Sequence, residues 1–488
     1  MLALSFPSAG HPAFSWLALA PLLIALPQRH TLRAFTLGWL TGVVYFTGTL
    51  YWITNVMAVY GGLSRWVAML VNAALIVVLA LFPALFAAAT ARLMARFGPR
   101  ALLAVPFIWV ATEVGRTHVM GGFPWVLLGY SQVTVLPVAQ AASVVGVYGV
   151  SALVALVSAV AALVALSTRA EEWRAPVLGT AFLIVVVAAG GAWRVARGTL
   201  TSTGDPVRVG LVQANVDQAE KWDASRAGAI FERHLQLSEM AIAQQADMII
   251  WPESSMPYRY EEQGLASDRL RALARSAQVP ILLGSNEIAE GDTRQYYNAA
   301  FLVKPDGTTG GVYRKMRLVP FGEYVPLKSL FFFAAPLTEA VGSFSPGEEA
   351  TVLPVDDHRL STAICYEVVY PGLVRRFVVG GSQLLTTITN DAWFGDTAAP
   401  HQHFAQAAMR AIENGRYLVR AANTGISGAV DPYGRILAHS PLYQPAVTTV
   451  DVRYLDAVTP YARFGDWFAW ASVVVTAVLL AVARRRVQ

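Results

Sequence analysis

The chain has 488 residues, of which 55% are hydrophobic and only 14% are charged. An average soluble domain carries about 25% charged residues, so this composition excludes an ordinary soluble protein and indicates a membrane protein. The formal net charge of +5 at pH 7 does not predict a nucleic-acid partner, because much of the arginine lies in short connections between apolar runs, where it indicates membrane orientation.

Apolar runs long enough to cross a bilayer dominate the chain up to a change in composition near residues 198–205. A membrane-spanning helix needs ~20 mostly apolar residues. Four such runs precede the change, a fifth lies near the end of the chain, and two shorter runs are too apolar for loops. Buried core helices are the alternative, but so many runs without a polar face favour a membrane bundle. The seven predicted spans are residues 14–27, 34–60, 66–93, 101–114, 136–166, 177–193 and 467–483.

Arginine residues in alternate connections give these runs an orientation. The arginine-containing connections are expected on the cytoplasmic side, which places the whole polar block 197–465 in the periplasm. Residues 14–27 then enter from the periplasm, so the apolar residues 1–6 are interpreted as the remnant of an additional first helix. No signal peptide is predicted, because the start has neither a basic region nor a small-residue cleavage site. The arginines are Arg29, Arg33, Arg92, Arg96, Arg100, Arg169, Arg174, Arg484, Arg485 and Arg486.

The polar block alternates short apolar strands with helical stretches, a pattern typical of α/β domains. Small and apolar residues recur at three- and four-residue spacing in residues 224–244 and 404–420, which predicts two helices. The natural architecture is an α/β sandwich with buried strands. The predicted domains are a transmembrane bundle at 1–198, the α/β domain at 206–455 and a transmembrane helix at 467–484. The predicted strands are residues 207–216, 247–252, 279–285, 297–304, 360–366 and 383–390.

Three segments of this block end an apolar strand with a side chain that can carry chemistry. They place Glu253 after a Trp-Pro pair, Lys315 within an Arg-Lys-Met-Arg string, and the only cysteine, Cys365, before Tyr366 and Glu367. Taken singly, each residue has an ordinary interpretation: Glu253 as a solvated turn residue, Lys315 as a surface charge and Cys365 as a small buried apolar residue. One cysteine cannot form an internal disulfide, so the thiol is either such a buried residue or a reactive group.

The same three side chains suit nucleophilic catalysis when they are taken together. A free thiol has a pKa of ~8.5 and needs a carboxylate to take its proton and a cation to favour the thiolate. Glu253 and Lys315 have those charges. The Lys315 ammonium and the backbone N–H that follows Cys365 can also stabilise the oxyanion of a tetrahedral intermediate.

The three segments together resemble the nitrilase superfamily, whose sites join a glutamate base, a lysine and a cysteine nucleophile on a four-layer α/β/β/α sandwich. With the membrane helices added, the chain is similar to the apolipoprotein N-acyltransferase family over essentially its whole length. That family has eight transmembrane helices, and seven runs are visible here. The matching strings are residues 122–125 (Gly-Phe-Pro-Trp), 221–223 (Lys-Trp-Asp), 251–253 (Trp-Pro-Glu), 319–323 (Val-Pro-Phe-Gly-Glu), 364–367 (Ile-Cys-Tyr-Glu) and 390–395 (Asn-Asp-Ala-Trp-Phe-Gly).

The resemblance implies which residues act and where. Its catalytic triad falls on Glu253, Lys315 and Cys365, in a periplasmic nitrilase-like domain at the bacterial inner membrane. A structural ion pair is the alternative role for the further glutamate at position 323. The residues for which the resemblance implies supporting or substrate-binding roles are Glu323, Tyr366, Glu367 and Trp222.

The resemblance also implies a two-step exchange between two membrane-anchored substrates. Cys365 attacks an ester of a phospholipid, which gives a thioester acyl-enzyme and a lysophospholipid. The acyl chain then passes to the free α-amino group of the S-diacylglyceryl-cysteine of a lipoprotein. No cofactor is implied: His401 and His403 do not share a helix face, as a metal pair on a helix requires, and no glycine-rich phosphate loop occurs.

Two other functions remain as alternatives. A membrane-tethered amidase or nitrilase would use the same triad to hydrolyse small amides. A transporter or scaffold with a catalytically inactive periplasmic domain would need ionisable residues along a path through the membrane, and few are present. Glu113 and Arg116, at the edge of one apolar run, are left without an assigned role.

Overall fold

The change in composition near residue 200 also separates compact units in the computed structural model, which describes residues 1–7, 10–262, 264–289, 294–320, 322–324 and 344–484. Phe321 and the arginines at positions 485 and 486 lie outside the described residues. Unit 1 comprises Met1–Gly198, Asp396–Glu413 and Thr459–Gln488, and unit 2 comprises Thr199–Gly395 and Asn414–Val458.

Sixteen α-helices occur in the described part of the chain, and those of unit 1 are mostly apolar. Numbered in chain order, they are α1 (Ala20–Ala25), α2 (Thr31–Leu50), α3 (Trp52–Val59), α4 (Arg65–Leu79), α5 (Leu81–Phe97), α6 (Val105–His118), α7 (Leu136–Ala139), α8 (Ala142–Leu166), α9 (Ala170–Arg197), α10 (Thr199–Ser202), α11 (Ala227–Ala243), α12 (Leu265–Ala277), α13 (Pro371–Val379), α14 (Ala399–Asn414), α15 (Pro460–Phe464) and α16 (Trp467–Arg484).

Several helical segments, which lie wholly or mostly in unit 1, are long and apolar enough to cross a membrane. Within the described residues there are four, and a fifth results if α2 and α3, which meet at a bend of 54°, form one span. The predicted runs 14–27 and 101–114 are also largely helical, but their helices are shorter than a bilayer requires, so the count of seven spans stays a prediction. The four segments are Arg65–Phe97, Ala142–Leu166, Ala170–Ser202 and Trp467–Arg484.

Close helix packing in unit 1 depends on small residues, as is usual in membrane bundles. Gly38 and Gly42 lie one turn apart on α2 and face α5. A Cβ atom at Gly38 would lie 2.4 Å from the Pro83 carbonyl oxygen, and one at Gly42 would lie 2.8 Å from the Ala80 Cα. Neither position therefore accepts a larger side chain without moving the two helices apart.

Helix α14 brings buried polar groups into unit 1. Gln402 Oε1 accepts a hydrogen bond from Trp125 Nε1 at 2.7 Å, and Glu413 Oε1 accepts one from the Val147 N–H at 2.8 Å. The predicted helix 404–420 was wrong at its end: the helix stops at Asn414, since Gly415 adopts a φ of 61°, which suits a helix C-terminus. Position 420 lies in a strand instead.

In the part of unit 2 that the structure describes, the strands form two six-stranded sheets, ordered β12-β1-β2-β3-β4-β5 and β11-β10-β9-β8-β7-β6. The strands β1-β2-β3 are parallel in the first sheet, as are β7-β8-β9 in the second. The strands are β1 (Pro206–Gln213), β2 (Met248–Ile250), β3 (Ile281–Ala289), β4 (Gln295–Val303), β5 (Thr309–Arg314), β6 (Leu353–Val355), β7 (His358–Ile364), β8 (Leu384–Thr389), β9 (Leu418–Ala422), β10 (Gly428–Val430), β11 (Ile436–His439) and β12 (Ala446–Arg453).

The core of unit 2 confirms the predicted α/β sandwich. Apolar side chains of α11 and α12, such as Phe231 and Leu270, are buried with Ile249, Trp251 and Ile281 of the first sheet. All six predicted strands are present, with ends that differ by a few residues, as β1, β2, β3, β4, β7 and β8. The remaining strands were not predicted, because several of them are only three to five residues long, too short to show a recognisable alternation of apolar and polar residues.

Candidate active site

The three predicted catalytic side chains each follow the carboxyl end of a strand in unit 2. Glu253 follows β2, Lys315 follows β5 and Cys365 follows β7. All three are buried, with exposed fractions of 6%, 1% and 7%. The Glu253 turn packs closely on β3, since a Cβ atom at Gly284 would lie 2.5 Å from the Ser254 nitrogen. Glycine at position 284 is thus a requirement for this turn.

One ammonium holds two carboxylates at the centre of the site. Lys315 Nζ lies 3.0 Å from Glu253 Oε1 and 2.9 Å from Glu323 Oε1. The Asn298 side-chain amide donates to the same two oxygens at 2.8 and 2.9 Å. The Asn390 N–H donates to the other oxygen of Glu253 at 2.9 Å, so the Glu253 carboxylate is fixed in position from three directions.

These contacts determine which side chains of the site are ionised. Burial alone would raise the pKa of the Glu253 carboxyl, but the nearby Lys315 and Lys221 ammonium groups and the Asn298 hydrogen bond overcome it and hold the pKa below its usual value. Burial likewise opposes the charge on Lys315, yet the two carboxylates raise its pKa well above the usual range. Glu253 is therefore ionised at neutral pH and can accept a proton.

Cys365 occupies a strained backbone position at the end of β7. Its φ is 51°, a left-handed conformation that is uncommon for a residue with a side chain, and it begins the short 3-10 turn Cys365–Val369. Burial raises the pKa of its thiol well above the usual value, the Glu253 charge raises it further, and Lys315 only partly opposes them. The Cys365 thiol is thus neutral at rest, so the Lys315 charge does not by itself produce a standing thiolate.

Glu367 holds the lysine and cysteine turns together. Its Oε1 accepts hydrogen bonds from the Tyr313 hydroxyl at 2.8 Å and from the Met316 and Arg317 N–H groups at 2.6 and 3.0 Å. Its Oε2 accepts from the Ile364 N–H at 2.7 Å. Burial raises the pKa of this carboxyl to about 7 against the effect of these hydrogen bonds. Because the side chain is fully buried, its geometry indicates a supporting role and not substrate contact.

The other predicted site residues differ in exposure. Trp222 is 52% exposed and lines a cavity of about 10 Å³ beside Glu253. Tyr366 is buried, with its ring edge-on to Tyr370 at a centroid distance of 5.3 Å. Glu323 Oε2 also accepts from the Val319 N–H at 2.8 Å, so this glutamate both neutralises the lysine and fixes its own turn.

Sequence reasoning did not assign roles to two residues that the structure brings into the site. Lys221 Nζ donates to the Glu253 carbonyl at 3.0 Å, and burial lowers the pKa of this ammonium to about 8 although Glu253 and Cys365 oppose the shift. Asn298 bridges the two carboxylates. A polar residue in the middle of strand β4, directly before the apolar run 299–303, was the available signal for Asn298, and the Lys-Trp-Asp string was the signal for Lys221.

Family profiles match both parts of the chain. Residues 208–460 match the carbon-nitrogen hydrolase family, and residues 1–160 match the apolipoprotein N-acyltransferase N-terminal domain. An amidase of the nitrilase superfamily from Nesterenkonia is 23% identical, with a TM-score of 0.40, and the match covers 54% of this chain and 95% of the amidase. The sandwich, the buried Glu-Lys-Cys group and the first profile define a nitrilase-like enzyme domain, here carried by apolar helices.

Curated relatives then specify the family. A protein from Geobacter metallireducens named apolipoprotein N-acyltransferase is 41% identical over 100% of this chain and 94% of its own length. A protein of the same name from Brucella melitensis is 35% identical over 94% of this chain and 88% of its own length. The chain belongs to the apolipoprotein N-acyltransferase family, and it is a membrane-associated enzyme of that family.

Proposed function

We propose that the chain transfers an acyl chain from a membrane phospholipid to the N-terminal α-amino group of S-diacylglyceryl-cysteine in a lipoprotein, through a thioester on Cys365. The observation that carries this proposal is the buried arrangement in which Lys315 lies within 3.0 Å of the Glu253 carboxylate, with the neutral Cys365 thiol under the influence of both charges. Glu253, Lys315 and Cys365 are the catalytic residues, and Glu323, Glu367, Tyr366 and Trp222 support them or contact substrate.

The first half-reaction forms the acyl-enzyme. Cys365 Sγ attacks the ester carbonyl carbon while its proton passes to Glu253, so that no free thiolate has to accumulate. Lys315 and the Tyr366 N–H stabilise the oxyanion of the tetrahedral intermediate. The intermediate collapses by breaking the ester C–O bond, and the departing alkoxide takes the proton from Glu253 to give the lysophospholipid hydroxyl.

The second half-reaction uses the same groups in reverse order. The lipoprotein α-amine attacks the thioester carbon, and Glu253 accepts a proton from the amine. The C–S bond then breaks, the proton returns to the Cys365 sulfur, and the product is an amide. Water must be kept from the thioester between the two steps, and the burial of Cys365, which is 7% exposed, supports this.

Both substrates are anchored in the bilayer, which explains why a nitrilase-like domain is joined to so many apolar helices. The alternating arginines support an orientation in which unit 2 lies in the periplasm of a bacterium and the helices span its inner membrane. A membrane-tethered amidase is the alternative function for the same catalytic group.

The acyl-enzyme is the intermediate that separates transfer from hydrolysis. We expect full-length protein incubated with phospholipid and no amine to gain the mass of one acyl chain on Cys365, because water is excluded from the buried thioester. Intact-mass spectrometry measures the adduct. Adding a diacylated lipopeptide with a free α-amine should discharge it, whereas the same peptide with a blocked amine should not. Continuous fatty-acid release without amine, and no adduct, would favour the amidase.

Reporter fusions test the proposed orientation independently of catalysis. One reporter, active only in the periplasm, is fused after Asp205, and a second, active only in the cytoplasm, is fused after Arg486. Both should be active, because the arginine pattern puts these two points on opposite sides of the membrane. The reciprocal pair of fusions, with the reporters exchanged, is the control and should be inactive. Activity of the exchanged pair would place the site on the cytoplasmic side and contradict the lipoprotein assignment.

A further inference from the structure

A groove of about 480 Å³ runs along the surface of unit 1 between α5, α6 and α16. Small side chains, among them Ala89, Ala111 and Gly115, line the groove where larger ones would fill it. Leu85 and Val119 on its rim are 53% and 55% exposed, so apolar surface faces the space that lipid occupies around a membrane bundle. The volume is in the range of sites that hold small molecules, about 300–1,000 Å³.

The charges of the groove are all at one end. Arg92 of α5 and Arg484 of α16 line it, and neither guanidinium has an ion-pair or hydrogen-bond partner within the described residues. The remaining lining side chains are uncharged. Two unpaired cations beside an apolar channel are complementary to an anionic head group attached to an acyl chain, and basic sites of this type between transmembrane helices bind anionic lipids.

The length of the groove matches one leaflet. Phe82 and Arg92 line opposite ends of its α5 wall, and ten residues of helix span about 15 Å. The hydrocarbon core of a bilayer is about 30 Å thick, so the groove accommodates a chain from one side only. Under the proposed orientation the arginine end is cytoplasmic, which selects the cytoplasmic leaflet.

A buried hydroxyl gives an independent indication of a ligand. Thr476 lines the groove and is only 8% exposed, and its Oγ1 has no hydrogen-bond partner among the described residues. Threonine in a helix usually donates to the carbonyl one turn earlier, so an unsatisfied donor in apolar surroundings is unfavourable. An ester oxygen of a lipid in the groove is an acceptor of the required kind.

We propose that this groove binds one anionic phospholipid of the surrounding bilayer, with its phosphate at Arg92 and Arg484 and one acyl chain between α5, α6 and α16. The lipid is a resident ligand of unit 1 and is not consumed. It stabilises the helix bundle by mass action, because it binds the folded bundle and not the unfolded chain. A zwitterionic lipid such as phosphatidylethanolamine fits less well, since its ammonium is repelled by the two arginines.

Native mass spectrometry of the full-length protein in detergent tests the site apart from acyl transfer when every protein compared also carries Cys365→Ser, which cannot form the acyl-enzyme. Phosphatidylglycerol and phosphatidylethanolamine with identical acyl chains are titrated separately, and the fraction carrying one lipid is measured. We expect phosphatidylglycerol to bind at least about tenfold more tightly. The double variant Arg92→Gln/Arg484→Gln should lose about fivefold in affinity for each arginine, about 25-fold in all, and with it the preference for phosphatidylglycerol.

Matched variants separate the groove from general surface charge. Arg100→Gln removes an exposed arginine that is predicted on the same side but does not line the groove, and it should bind phosphatidylglycerol like the wild type. Ala111→Phe should weaken binding of both lipids by filling the groove. Unchanged phosphatidylglycerol binding in the double arginine variant, or an equal loss in Arg100→Gln, would overturn the proposal. The proposal would also be overturned if the groove variants lose a dimer while their lipid binding stays unchanged.

Discussion

Replacing Cys365 by serine should lower acyl transfer at least about a thousandfold while the protein remains folded and in the membrane. The structure gives the reason: burial and the Glu253 charge already raise the pKa of the thiol, and the same surroundings would make a serine alkoxide far harder to form. Transfer is measured with phospholipid and a diacylated peptide, and intact mass should show no acyl adduct.

The absence of other cysteines provides the control for this variant. Thiol labelling of the unfolded wild type modifies one position, so loss of labelling verifies the substitution. An unchanged melting temperature excludes a folding defect, since serine and cysteine have similar volumes. Transfer above a few per cent of the wild-type rate would show that Cys365 is not the nucleophile.

Glu253→Gln should slow acyl-enzyme formation by about 10²- to 10⁴-fold at neutral pH, because glutamine keeps the shape of the side chain but cannot accept the thiol proton. Its single amide oxygen replaces only one of the two Glu253 oxygens that accept from the Asn298 amide and the Asn390 N–H. The pH dependence should change as well. In the wild type the pKa of Glu253 is lowered, so the base stays ionised and the rate is level above that pKa. In the variant the Glu253 charge no longer contributes, but burial still raises the pKa of the thiol, and hydroxide must remove its proton, so the rate should rise about tenfold per pH unit without levelling off.

Lys315→Met is the contrasting variant that distinguishes the two roles. Without the cation, burial raises the pKa of Glu253, and the oxyanion loses its charged partner. Raising the pH ionises Glu253 again but does not restore the oxyanion contact, so both half-reactions should level off about 10²- to 10³-fold below the wild type. The double variant Lys315→Met/Glu323→Gln preserves the local charge balance and controls for unfolding. The two roles would be exchanged if the rate of Glu253→Gln levels off at high pH while the rate of Lys315→Met keeps rising with pH.

The positions of the three proposed catalytic residues at strand ends could be predicted because each is encoded locally, as a charged or nucleophilic residue that follows an apolar strand. Asn298 could not be assigned in this way, since its contacts with Glu253 and Glu323 join residues 45 and 25 positions apart. The protonation state of Cys365 was also beyond sequence reasoning. It depends on how burial and the charges of Glu253 and Lys315 balance, and only the folded arrangement fixes that balance.

Helix α14 shows a different limit of sequence reasoning. Its periodicity predicts a helix with one buried face, but the pattern does not say which core receives that face. The sequence on either side of α14 has the pattern of an α/β domain. The side chains of Gln402 and Glu413 nevertheless accept hydrogen bonds from groups of unit 1. Buried polar contacts of this kind depend on partners far away in the sequence, Trp125 and Val147.

The membership of α14 in unit 1 has a consequence for the order of folding. The chain emerges from the ribosome from its N-terminus, so the helices of Met1–Gly198 are made long before Asp396–Glu413, the segment that completes their core. Until then the Trp125 indole and the Val147 N–H lack the partners that α14 supplies. Unit 1 therefore cannot mature as an independent first domain, and neither unit can be excised as one continuous stretch of chain. Expression of residues 199–458 alone would leave the polar face of α14 without its partners, so structural work on the catalytic unit requires the full-length protein.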